Sequence, residues 1–87
     1  KMPQDFRGHN VYVDKSLVGY VDHEGGIYML GKLVATIDDE GYIYLKGKNV
    51  GYIQDEMDIF LGDVHAGEIN ARRDLVFDGK TIDKLIM

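Results

Sequence analysis

Cysteine and tryptophan are absent from the 87 residues, and proline occurs once, as Pro3. Without cysteine, neither a disulfide nor a thiolate metal site can cross-link this small domain, so its stability must come from packing. The same absence leaves the redox compartment undetermined. A chain of this length buries only roughly 60% of the surface that its unfolded form exposes, so each apolar position matters.

Positive charge is also scarce. Ten Lys and Arg face fifteen Asp and Glu, the net charge is -5, and the longest basic cluster is Arg72-Arg73. Nucleic-acid binding rests on cationic neutralisation of phosphates, so no nucleic-acid partner is predicted. No apolar run approaches the length of a membrane span, so no membrane insertion is predicted. The chain begins at Lys1, which leaves a removed leader and the cellular location open.

Catalytic and metal-binding motifs are missing. Ser16 is the sole serine, and no G-x-S-x-G, P-loop or G-x-G-x-x-G pattern is present. The three histidines, His9, His23 and His65, have no HxH or HxxxH spacing. Acidic residues recur in the turns, but the preference of Asp for turns explains them more simply than calcium binding. We therefore predict a non-enzyme without catalytic residues, metal or cofactor.

The sequence does contain a sixteen-residue repeat. Segment 33–48 matches segment 17–32 at nine of sixteen positions, and the register continues without insertion. This predicts an entry arm at 1–9 and a single repeat domain at 10–87. The domain divides into a half copy at 10–16, full copies at 17–32, 33–48, 49–64 and 65–80, and a half copy at 81–87.

Each copy predicts two short strands, because apolar residues alternate with small or polar ones and then meet a turn. The loop Asp39-Glu40-Gly41 suits a type I turn with a G1 bulge, which pairs Ile37 with Ile43 and Ala35 with Leu45. Between copies we expect a three-residue loop such as 46–48, or a corner where the chain leaves one hairpin and starts the next, because a two-residue turn would swap the faces of the following strand.

One face of every strand is aliphatic and defines the predicted core. Its best-supported members are Ile37, Ile43, Leu45, Ile53, Ile59 and Leu61. At one core position per copy only a small residue occurs, which predicts close approach of a neighbouring backbone or of the large residue opposite. These residues are Gly19, Ala35, Gly51 and Gly67.

About ten short antiparallel strands are more than an open sheet usually contains, and the exposed edges of an open sheet promote aggregation. We predict an all-β fold closed into a flower-like or propeller-like ring or a small barrel. An open solenoid is the alternative, but Ile82, Leu85 and Ile86 would make poor polar caps.

The segment IYLKGKNVGYI at 43–53 and its echo IYMLGKLVATI at 27–37 resemble the repeat of the four-fold β-flower domain, an uncharacterised prokaryotic family. The shared motif is a Tyr-containing strand, a Gly-Lys turn and a Val-Gly/Ala-Tyr-Ile strand. The resemblance implies a ring of hairpin petals and brings no functional residue with it. Because this chain has five half-repeats of each kind, four-fold and five-fold closure both stay open.

The opposite face carries the strongest candidates for binding. It combines Val18, Val34 and Val50 with an aromatic stripe. The binding residues predicted from this stripe are Tyr20, Tyr28, Tyr44, Tyr52 and Phe60. Tyrosine offers flat contact area with a polar handle, which suits a protein partner or self-association. The alternatives are a structural scaffold in which the tyrosines only cover the sheet, and a cell-surface or carbohydrate-binding hairpin repeat, which the absence of Trp disfavours.

Overall fold

A computed structural model describes residues 5–82, and within this range nine β-strands and no helix are formed. The strands follow one another around a closed barrel in chain order. The predicted all-β fold and its closure are therefore confirmed. The strands are β1 (Asn10–Val13), β2 (Ser16–Val21), β3 (Gly26–Met29), β4 (Lys32–Ile37), β5 (Tyr42–Leu45), β6 (Lys48–Gln54), β7 (Asp58–Leu61), β8 (Val64–Ile69) and β9 (Leu75–Phe77).

The odd number of strands determines how the barrel closes. Each hairpin reverses the chain, so the first and ninth strands run in the same direction. β1 and β9 accordingly pair in parallel, with Val11 opposite Leu75, whereas all other neighbours are antiparallel. The wall consists of the four full copies plus β1. The predicted tenth strand falls on 81–87, where Thr81 and Ile82 form a turn and 83–87 lie outside the described residues.

The turn inside copy two has the predicted form. Ile37 pairs with Ile43, the N–H of Asp38 donates to the carbonyl of Tyr42, and Gly41 has a φ of 89°. Positive φ is accessible to glycine without steric cost. The Asp38 carboxylate accepts the backbone N–H groups of Glu40 and Tyr42 at 3.0 and 2.9 Å. The acidic residue thus stabilises the turn, as expected for Asp.

The turn between copies differs from the prediction. Leu45 pairs directly with Lys48, so the loop holds only Lys46 and Gly47, whose φ values of 53° and 82° correspond to a type I′ turn. The three-residue loop was wrong because a β-bulge in the following strand corrects the side-chain parity. The register shifts between Ile43 and Tyr44, and one extra residue is accommodated there.

The bulge recurs in every copy and places its extra residue at the same repeat position. The registers assign this position to Val18, Val34, Val50 and Ala66. Ala66 is buried and the three valines pack against the core. The assignment of these valines to the outer face was therefore wrong, because a bulge turns its extra residue away from the strict alternation of the strand.

The barrel interior is filled by aliphatic side chains. Five of the six predicted core residues are buried, and Leu45 is the exception, being half-buried. Two buried hydrophobic residues of the described range come from outside the barrel wall. Phe6 is 2% exposed and lies beside the turns within the copies, and Ile82 is 3% exposed and follows the last strand. Side chains from the segments before the first strand and after the last strand therefore complete one core.

The small residues on the core face have the predicted cause. A side chain at Gly51 would overlap the carbonyl of Phe60, and one at Gly67 would overlap the carbonyl of Val76. A side chain at Gly19 would likewise overlap the carbonyl of Tyr28. In these three copies the neighbouring backbone approaches so closely that only glycine fits.

Candidate contact surface and an opening in the barrel wall

The five predicted binding residues lie on the outer wall of the barrel. Tyr20 is exposed, and Tyr28, Tyr44, Tyr52 and Phe60 are half-buried. Tyr20 and Tyr28 face each other across β2 and β3, and their rings stack at 5.1 Å. Tyr52 and Phe60 repeat this arrangement across β6 and β7 at 5.2 Å. Offset ring pairs of this kind add stability beyond the area they bury.

Barrel closure divides the aromatic residues between opposite sides. The pair on β2 and β3 is separated from the pair on β6 and β7 by β4 and β5 in one direction, and by β8, β9 and β1 in the other. No single flat partner can contact both pairs at once. The aromatic residues therefore form a belt around the barrel, and a contact surface must use one part of it.

Tyr44 is tied to the neighbouring turn. Its hydroxyl donates to the Asp38 carboxylate at 3.3 Å. Desolvation, followed by the negative charge of Asp38, raises the pKa of Tyr44 above its ordinary value. Both effects favour the neutral phenol. The ring thus supports the turn that joins β4 to β5.

Leucines complete the apolar surface around the first aromatic pair. Leu17 and Leu33 are 60% and 57% exposed, compared with 48% for Tyr20. Leu33 pairs with Tyr28, and both side chains lean over Gly26, which has no side chain to displace them. We name Leu17, Tyr20, Tyr28 and Leu33 the tyrosine-leucine patch. The alternation of apolar and polar residues did not predict Leu17 and Leu33 as surface residues. The bulge that follows each leucine determines which face of the sheet its side chain lies on.

The barrel wall opens between β4 and β5. In the other copies, the paired residues of the two strands include the small core residue. Gly19 pairs with Met29 between β2 and β3, and Gly51 pairs with Leu61 between β6 and β7. Between β4 and β5 only Thr36 with Tyr44 and Ile37 with Ile43 are paired. The expected pair of Ala35 with Leu45 is therefore wrong, and Leu45 is left half-buried.

Ala35 accounts for this opening. Its methyl group stands where the other three copies have glycine, and there a carbon atom would collide with the neighbouring carbonyl. We infer that the strands separate to relieve that collision. In copies one and three, Leu30 N donates to Val18 O and Gly62 N donates to Val50 O, both at 2.8 Å.

The equivalent hydrogen bond is missing from the opened wall. Within residues 5–82, no bond joins the N–H of Lys46 to the carbonyl of Val34. The resulting cleft has a volume of about 240 Å³, and it is lined by Leu33, Val34, Ala35, Thr36, Tyr44, Leu45, Lys46 and Gly47. Because Leu33 belongs to both, the cleft continues the tyrosine-leucine patch toward β5.

Charge is distributed unevenly along the barrel axis. All five lysines in the described range lie at or beside the turns between copies: Lys15, Lys32, Lys46, Lys48 and Lys80. The turns within the copies are instead dominated by acids, including Asp22, Glu24, Asp38, Asp39, Asp55 and Glu56. The tyrosine-leucine patch runs between these two ends. It has Lys15 and Lys32 at one margin, beside the single carboxylate of Asp14, and several carboxylates at the other.

Comparison with known proteins identified no relatives: no family model, curated protein or solved structure matches the chain. The resemblance to the β-flower repeat therefore stays a prediction. In the part of the chain from 5 to 82, no helix is long and apolar enough to cross a membrane.

Proposed function

We propose that this protein is a non-catalytic assembly module that joins a second copy of itself through the tyrosine-leucine patch. The observation that carries the proposal is the run of adjacent outward-facing apolar side chains across β2, β3 and β4, with two leucines and Tyr20 each about half exposed or more. Contiguous apolar surface with polar margins is typical of protein interaction sites.

The charge pattern supports a second copy as the occupant. Lys15 and Lys32 lie at one margin of the patch, and Asp22 and Glu24 lie at the other. A two-fold axis that passes through the centre of the patch at right angles to the barrel axis reverses the second barrel, so the lysines of each copy face the acids of the other. A two-fold interface is self-complementary by construction. This antiparallel arrangement offsets the repulsion expected from a net charge of -5.

Light scattering on the purified chain tests the proposal. We expect the mass of a dimer, and we expect Leu33→Asn to weaken the dimer by about tenfold or more, since truncated interface anchors dominate binding energies. Asparagine is tolerated at this repeat position, because Asn49 occupies it in copy three and donates to the carbonyls of Ile43 and Gly51 at 3.1 and 2.9 Å.

Met57→Asn is the matched control, since Met57 is 59% exposed but lies outside the patch. This variant should keep the mass of the wild type. Raising the ionic strength from about 0.05 to about 0.5 M should weaken the dimer, because salt screens the facing charges. A wild-type chain that stays monomeric at millimolar concentration would reject self-assembly and favour the structural scaffold. Equal dissociation of both variants would reject the patch.

A further inference from the structure

A second cluster lies on the other side of the barrel, on β7 and β8. It consists of Asp58, His65 and Glu68, whose potential ligand atoms all lie within 4.8 Å of one another. Asp58 is directly opposite Glu68 in the strand pair. The Nε2 atom of His65 lies 3.0 Å from Oδ1 of Asp58. The three side chains project from hydrogen-bonded strands, so the backbone fixes their relative positions.

The electrostatics of this cluster favour a bound cation. Two carboxylates directly opposite each other on neighbouring strands repel and destabilise the pair. Among residues 5–82, no basic side chain forms an ion pair with Glu68, whose carboxylate also has no hydrogen bond there. The imidazole of His65 contacts Asp58 on one side and the ring of Phe60, edge to face at 5.4 Å, on another. Within residues 5–82, Glu68 thus faces the like charge of Asp58 without a basic partner.

The repeat provides an internal comparison. Positions equivalent to 58, 65 and 68 are occupied by Gly26, Leu33 and Thr36 across β3 and β4, and by Tyr42, Asn49 and Tyr52 across β5 and β6. The same strand and bulge geometry is present in each case. Only the hairpin of β7 and β8 places an imidazole and two carboxylates at these positions. Turn formation and core packing therefore do not require these three residue types.

We propose that Asp58, His65 and Glu68 bind a divalent transition-metal ion, with Zn²⁺ as the representative probe. Imidazole nitrogen and carboxylate oxygen are both ligands of Zn²⁺, at about 2.0–2.2 Å. Small side-chain rotations bring atoms within 4.8 Å to that distance. Three protein ligands on an outward face leave the remaining coordination to water. The site is independent of the tyrosine-leucine patch.

The three residues form no short histidine motif that would be recognisable in the sequence. The spacing of seven residues between Asp58 and His65 becomes meaningful only when a two-residue loop and a bulge fold β8 back onto β7. A hairpin thus achieves the convergence that H-x-x-x-H achieves on a helix.

Calorimetric titration of the full chain with ZnCl₂ tests the site. The wild type should bind one Zn²⁺, and His65→Asn should weaken binding by more than about tenfold, since even second-shell partners contribute 10–100-fold. Glu68→Thr should also weaken it. Both replacements occur naturally at equivalent positions, in Asn49 and Thr36, so both variants should keep the wild-type fold by circular dichroism.

The control is His23→Asn, which removes an exposed turn histidine outside the cluster. It should bind Zn²⁺ as the wild type does. In a histidine side-chain NMR spectrum, Zn²⁺ should shift the ring nitrogens of His65 and leave those of His9 and His23 in place. Unchanged affinity in His65→Asn, equal loss in His23→Asn, or no wild-type binding below millimolar Zn²⁺ would each overturn the proposal.

Discussion

The inner and outer walls of the barrel differ in how far the residue type at equivalent repeat positions varies from copy to copy. Inside, positions sixteen residues apart keep their aliphatic character, as in the buried residues Ile27, Ile43, Ile59 and Leu75. Outside, one equivalent set is Leu17, Leu33, Asn49 and His65. Interior packing penalises any change of shape or polarity, whereas the outer wall accepts apolar, amide and imidazole groups on one backbone. The features specific to each copy are therefore concentrated outside.

The largest difference between the inner and outer walls should appear in the stability lost when a side chain is truncated. Ile59→Ala should destabilise the fold by about 2–5 kcal/mol, because it leaves a cavity where the side chain is fully buried. Leu33→Asn on the outer wall should change stability by about 0.5 kcal/mol or less. Urea unfolding of both variants, at a concentration where each is monomeric, measures the difference. Similar costs would contradict the distinction between the walls.

A smaller but still large effect is expected from adding one methyl group inside. Gly51→Ala should cost about 1–3 kcal/mol, because the new carbon overlaps the Phe60 carbonyl and must push β7 away. The N–H of Gly62, which donates to Val50 O, should then exchange with solvent faster. Hydrogen exchange followed by NMR measures this change. Undiminished protection of Gly62 would show that the strands absorb the methyl group without separating.

The reverse substitution tests the cause of the opening in copy two. Ala35→Gly should let Leu45 pair and let the N–H of Lys46 reach the carbonyl of Val34, so exchange at Lys46 should slow. The net stability change should stay within about 1 kcal/mol, because the new contacts offset the backbone entropy of glycine. Leu30 already has the equivalent hydrogen bond and serves as the reference amide. An unaltered rate at Lys46 would assign the opening to another cause.

The smallest effect concerns an acid in an outer turn. The backbone N–H of Gly26, followed by that of Glu24, holds the pKa of Asp22 below its ordinary value. Its stabilisation is therefore present above the unfolded-state pKa and is lost as pH falls through the lower folded-state pKa. Asp22→Asn should keep the turn, as Asn70 does in copy four, and flatten the decline in melting temperature as pH falls below about 4. Parallel declines in both proteins would contradict this.

The sequence predicts the strands, the closed wall and most of the core, because period-two alternation and the sixteen-residue repeat report directly on burial. It does not reveal the bulge, since Val18, Val34 and Val50 are compatible with either face. This one hidden feature caused the errors in loop length, in the facing of the valines and in the omission of Leu17 and Leu33. The tyrosines were predicted as binding residues because of their residue type, whereas the proposed metal cluster on β7 and β8 was not predicted because its geometry depends on the bulge.

The parallel seam between β1 and β9 has a consequence for folding kinetics. All other strand pairs join neighbours in the chain, whereas the seam joins residues 64 apart, as in the bond from Asn10 N to Asp74 Oδ1 at 2.9 Å. The entropic cost of long-range contact is therefore concentrated in one late step, after the local hairpins have formed. We expect the seam to be the first part of the wall to separate under denaturant and the last to reform.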